Sequence, residues 1–174
     1  MKDSPYLVSC RLGDVIAAIQ VLAYYKFYRL DVTEWAKRIT GEEGAAATLE
    51  TVFRDHPEFF QLTSGDTGLK AALVARRSFT RSYDVDAAAE VAKDEAMARR
   101  QNPEAWARLS RRPLTPEETA VLIRTAIDMH SRAIEQRMAG RWWVPLASAG
   151  IGFIGGIVSA VVGVLIGVAT RGAQ

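Results

Sequence analysis

Between residues 142 and 170 the chain carries no charged side chain. No other feature constrains the fold as strongly. A globular surface helix meets water on one face and seldom runs this long without a charge. A hydrocarbon layer of roughly 30 Å is crossed by about 20 apolar helical residues, and 144–169 exceeds that with room for tilt. Trp142 and Trp143 stand at one end, where indole rings favour the headgroup zone. Arg137 and Arg141 precede them and Arg171 follows the stretch, so these five residues are expected as interfacial anchors. The more positive N-terminal flank predicts a cytoplasmic soluble part on a tail-anchored chain at the cell (inner) membrane. A buried core helix is the competing reading.

The same stretch holds six of the chain's 13 glycines. At 3.6 residues per turn, Ser148, Gly152, Gly156 and Ala160 form one ridge. Gly155, Ser159, Gly163 and Gly167 form a second beside it. Small-xxx-small ridges let helix backbones approach closely in lipid. Self-association, or docking on another membrane helix, is therefore expected, with the bilayer as a partner.

The rest of the chain has the texture of a globular protein. Of 174 residues, 24% are charged and the net charge is +2. Cys10 is the single cysteine, which excludes an intrachain disulfide. With His56 and His130 as the only histidines, no zinc-ligand spacing is present. The opening "MKDSPYLVSC" lacks a basic region leading directly into an apolar core and does not read as a secretory signal.

Apolar periodicity predicts a first helix in "RLGDVIAAIQVLAYYKFY", with Val15, Ile16, Ile19, Leu22 and Ala23 recurring at a period of 3.6. A second helix, "DVTEWAKRITG", is capped by Asp31 or Thr33 and ended by Gly41. A third, "AATLETVFRDHPEFF", buries Leu49, Val52 and Phe53 and stops before Pro57. A hairpin follows: "FFQL", the turn-rich "TSGDTG", then "LKAALVARRSF". The segments "VTEWAKRITG", "TLETVFRDHPEFF" and "FFQLTSGDTGLKAALVARRSF" together resemble a winged-helix domain in their order, over 11–83. The expected fold is thus mainly α with a small β-hairpin. A winged-helix-like domain at 1–85 leads into a helical connector at 86–141 and a transmembrane helix with a short tail at 142–174.

The resemblance raises DNA binding, which the charges disfavour. Residues 1–85 hold 11 Lys and Arg against 11 Asp and Glu, and duplex affinity rests on cations that neutralise phosphates. Arg76, Arg77 and Arg81 cluster on what reads as the second hairpin strand, and could meet an acidic partner or a phosphate. Arg99 and Arg100, with Arg108, Arg111 and Arg112, form a second basic group around "NPEAWARL". Asn102 and Pro103 start a helix there. Thr115 and Glu118 form a capping box for a long final helix, with Pro116 at its first position. Ile123, Ile127, His130, Ile134 and Met138 make one stripe along it.

No sequence motif names a reaction. "GDTGLK" lacks the spacing and hydroxyl of a phosphate-binding loop, and GxSxG, HExxH and CxxC are missing. Asp84 and Asp86 read as a helix start rather than metal ligands. The expectation is a non-enzyme without metal or cofactor: a membrane-tethered interaction protein with an unknown cytosolic partner. A small oligomerising pore-forming effector and a membrane-anchored DNA-binding regulator are the alternatives.

Overall fold

A computed structural model describes residues 4–65 and 68–139. These fall into two units that part between Ser131 and Arg132. In the first, α1 (Arg11–Tyr24) leads through an extended Tyr25 into β1 (Arg29–Asp31) and directly into α2 (Val32–Thr40). Gly41, at φ 83°, ends α2 in the left-handed conformation that glycine adopts without a Cβ penalty. After α3 (Ala46–Asp55), Pro57 turns the chain into β2 (Phe60–Gly65) and β3 (Gly68–Leu73). β2 and β3 pair antiparallel from Phe60 opposite Leu73 to Gly65 opposite Gly68. β1 pairs with the other edge of β3, giving the sheet order β1-β3-β2.

The core lies between the three helices and this sheet. Val15, Ile19 and Leu22 of α1 are buried with Trp35 of α2 and Val52 and Phe53 of α3. Phe60, Ala71 and Leu73 are buried from the sheet side. The Trp35 indole satisfies its N–H on the Ala71 carbonyl, 3.0 Å away, as a fully buried donor must.

Beyond β3 comes a helical turn, α4 (Val74–Arg77), where the sequence predicts a continuing strand. A second three-stranded sheet follows. β4 (Tyr83–Asp84) sits between β5 (Ala89–Glu90) and β6 (Leu109–Ser110), both antiparallel to it. The short helices α5 (Lys93–Arg99) and α6 (Pro103–Ala107) link β5 to β6. The Asn102 side chain accepts the amides of Glu104 and Ala105 and caps α6. In α7 (Pro116–Ala139) the capping box is formed both ways. The Thr115 amide donates to Glu118 Oε2 at 2.8 Å, and the Glu118 amide to Thr115 Oγ1 at 3.2 Å.

Two expectations are corrected. The fold is mixed α/β with two small three-stranded sheets, not mainly α with one hairpin. The additional strands are only two or three residues long, below the length at which alternation is legible. Second, among the described residues no helix is long and apolar enough to cross a membrane. The described residues therefore do not supply the transmembrane helix of the expected tail-anchored fold class. The helix of sufficient length, α7, carries Glu117, Glu118, Arg124, Asp128, Arg132, Glu135 and Arg137. The expected span lies outside the described residues, with its packing face Ser148, Gly152, Gly155, Gly156, Ser159, Ala160, Gly163 and Gly167. So do the anchors Arg141, Trp142, Trp143 and Arg171. Arg137 is described and exposed. The stripe on α7 is also not its buried face: Ile127, Ile134 and Met138 are exposed, while Thr119 and Ala126 are buried.

Candidate interaction site

Four arginines organise the seam between the two sheets, each by planar donor geometry rather than by charge pairing alone. Arg76 is fully buried. Its Nε donates to the Arg112 carbonyl (3.0 Å) and Nη2 to the Arg111 carbonyl (2.5 Å). Nη1 donates to the carbonyls of Leu22 (2.8 Å) and Tyr25 (2.6 Å). Leu22 lies in the last turn of α1, where carbonyls lack intrahelical donors and the helix dipole favours a cation. Burial pulls the guanidinium down to about 10, still cationic at neutral pH. Arg76 is therefore an internal tie, not the surface contact its position in "ARRSF" suggests.

Arg111 covers the Tyr28 ring at 4.9 Å and donates to the Phe79 carbonyl at 2.8 Å. Arg112 covers Phe79 at 3.8 Å and pairs with Glu118. Arg81 donates Nε to the Leu109 carbonyl (2.6 Å) and Nη2 to the Trp106 carbonyl (2.9 Å), and lies 4.4 Å above the Trp106 ring. Such stacking strengthens as the cation is desolvated. Nη1 of Arg81 has no acceptor among the described residues.

On one side of Arg81 a cleft of about 330 Å³ opens between the sheets. Arg29 of β1, Lys70 of β3 and Arg81 line it with Phe27, Tyr28, Leu109 and Ser110. The Tyr28 amide donates to Ser110 Oγ at 3.1 Å and holds the two walls together. No carboxylate belongs to the lining. Asp31, opposite Lys70 in the strand register, lines a separate hollow with Glu50. On the other side of Arg81 lies a mostly apolar hollow of about 360 Å³.

The remaining arginines proposed from sequence do not join this site. Arg77 is exposed and borders a groove with Phe53, Arg54 and Phe60. Arg99 is engaged by Asp84 (2.5 Å) and Glu95 (2.6 Å). Arg100 is exposed on the turn after α5. Asp84 also accepts the amides of Asp86 and Ala87, and with Arg99 these donors hold its carboxyl at about 2. The pair Asp84 and Asp86 thus forms a turn, and among the described residues no group of three or more His, Cys, Asp or Glu side chains is placed to hold a metal ion.

A second cluster joins residues far apart in sequence. Glu58 Oε1 accepts the Tyr6 hydroxyl at 2.5 Å and lies 3.1 Å from His56 Nδ1. His130 Nδ1 lies 2.9 Å from the Tyr6 carbonyl. Burial first, then the Glu58 carboxylate, pushes the Tyr6 hydroxyl well above the usual phenol range. Arg11, buried beside Asp55 at 3.3 Å, leaves Nε and Nη1 without partners among the described residues, as does His56 Nε2. With His56 fully buried, the cluster clamps the N-terminal turn Pro5–Leu7 to the end of α3 and to α7.

Compared with protein-family models, with curated proteins and with solved structures, the chain matches none.

Proposed function

We propose that residues 4–139 act as a protein-interaction module that recognises an acidic segment of a partner protein. The observation that carries this reading is the cleft beside Arg81: Arg29, Lys70 and Arg81 line it with two aromatic rings and no carboxylate. Cations held against low-dielectric walls concentrate negative ligands and steer their approach. Arg81 is fixed in advance by two carbonyls and a ring, so little ordering cost remains for the complex.

The winged-helix-like reading of the N-terminal elements supports the same function, because that resemblance admits interaction modules. Its support is the order helix, strand, two helices and two strands, with the sheet order β1-β3-β2. Duplex DNA is disfavoured as the ligand. Arg54 on the exposed face of α3 is tied to Glu50 at 2.5 Å, which leaves that helix little free charge for phosphates. A cytoplasmic setting accords with a single, exposed cysteine. Self-association and pore formation through 142–170 lie outside the described residues and form no part of the proposal.

Fluorescence polarisation with the full chain tests it. The probes are a labelled all-glutamate hexapeptide, its all-lysine counterpart and a short DNA duplex. The glutamate peptide is expected to bind, to weaken with salt, and to weaken at least about tenfold in the Arg29→Glu/Lys70→Glu variant. Equal binding of the lysine peptide, or tighter binding of the duplex with a steep salt slope, overturns the proposal.

A further inference from the structure

The hollow beyond Arg81 differs from the basic cleft in kind. Val91, Ala96, Met97 and Trp106 supply apolar walls, and Lys93 and Arg81 are the cations of its lining. Met97 is 57% exposed. Trp106 is pinned: Arg81 occupies one face of its ring and bonds its carbonyl. The Asn102 cap fixes the helix that carries it. An exposed apolar concavity with a held aromatic wall is a pre-organised receptor for an apolar side chain. Arg81 belongs to the linings of both recesses. A ligand lying across its guanidinium therefore meets cations on one side and apolar surface on the other.

We infer that this hollow receives an apolar side chain of the same acidic partner segment, immediately next to the acid held in the basic cleft. The inference rests on the reading of that cleft as an acid-binding site. The occupant is set by charge and continuity. Lys93 and Arg81 line the hollow and favour a chain whose flanking groups are acidic. Arg81 lines both recesses, so adjoining side chains of one segment can occupy the two. Recognition is thus of an acid with an adjoining apolar residue. A free small anion reaches the cleft alone and leaves the hollow unused.

The test uses the full chain, the all-glutamate hexapeptide and a second hexapeptide in which one central glutamate is replaced by leucine. The leucine peptide is expected to bind about tenfold tighter, the effect of sinking one Leu-sized side chain into apolar surface, despite its lost charge. Met97→Gln, at an exposed position that folding tolerates, is expected to abolish that gain while leaving the all-glutamate peptide within about twofold. Ala96→Leu, which fills the hollow from α5, is expected to do the same. No gain from leucine, or a gain that survives both variants, overturns the inference while the acidic-cleft reading stands. Failure of Lys70→Glu to weaken the all-glutamate peptide overturns the cleft reading and the inference with it.

Discussion

Arg81 lies 4.4 Å above the ring of Trp106 and donates Nη2 to the carbonyl of the same residue at 2.9 Å. One residue thus provides both the platform and an acceptor for the guanidinium, and Leu109 provides the second acceptor. A lysine keeps the charge but has neither the planar fork nor the stacking face. Arg81→Lys is therefore expected to lower stability by about 1–2 kcal/mol and to weaken the acidic peptide about tenfold. Urea unfolding and polarisation read the two effects separately. If charge alone mattered, lysine would leave both unchanged.

Arg76 predicts a larger loss with no direct contact to any ligand. Its donors satisfy the carbonyls of Leu22, Tyr25, Arg111 and Arg112 inside the fold. In Arg76→Met the side-chain volume is largely kept and those buried acceptors lose their donors. The expected cost is at least about 3 kcal/mol, since each unsatisfied buried polar group costs about 1–3 kcal/mol. Arg76→Lys restores the cation but reaches fewer of the four acceptors, so its urea midpoint should fall between Met and wild type. A midpoint for Arg76→Met equal to wild type would remove the internal tie.

What the sequence discloses and what it hides divide along the range of the interactions. The Gly41 stop, the Pro57 break, the Asn102 cap and the Thr115–Glu118 box are each made by residues within a few positions of one another, and all are legible. The hairpin is legible from its glycines. β1 is not, because Tyr25, Phe27 and Tyr28 continue the apolar texture of α1 and no Gly or Pro marks its end at Tyr24. Arg76 reads as a surface cation because its acceptors come from α1 and from 111–112. Tyr6, Glu58 and His130 meet across separations of 52 and 124 positions, which no local pattern records. Arg29 and Lys70 are ordinary strand residues until β1 and β3 pair. Arg81 alone of the basic residues singled out from sequence lines the cleft.

Acid should destabilise the fold through two carboxylates. Arg99, then the Ala87 and Asp86 amides, lower Asp84 from 3.8 to about 2. Arg112, then the Thr115 amide, lowers Glu118 from 4.5 to about 2. In both cases the unfolded state binds protons at a higher pH than the folded state. Their contribution is full above about pH 5 and is lost as pH falls from about 4.5 towards 2. Glu118 retains contact with solvent, which screens its share of the effect, whereas Asp84 is largely buried. Asp84→Asn/Glu118→Gln should start with a lower urea midpoint at pH 7 and lose less of it on acidification. Parallel midpoint-against-pH curves would show that neither carboxylate is coupled to folding.

The last prediction concerns how Lys70 is aimed. A Cβ built on Gly65 would stand 2.7 Å from Lys70 Cε and 3.0 Å from Cδ, both inside van der Waals contact. The glycine therefore leaves a shallow seat across the β2–β3 pair on which the lysine stem rests. The obstructed atoms belong to a flexible side chain, so Gly65→Ala costs little in folding: the stem swings aside and carries the ammonium away from the position it takes over Gly65. Gly65→Ala is expected to weaken the all-glutamate peptide severalfold at a nearly unchanged urea midpoint. In a Lys70→Met background it should have no further effect on binding, because the group it displaces is gone. Additive losses in the double variant would instead place the influence of Gly65 on the backbone rather than on Lys70.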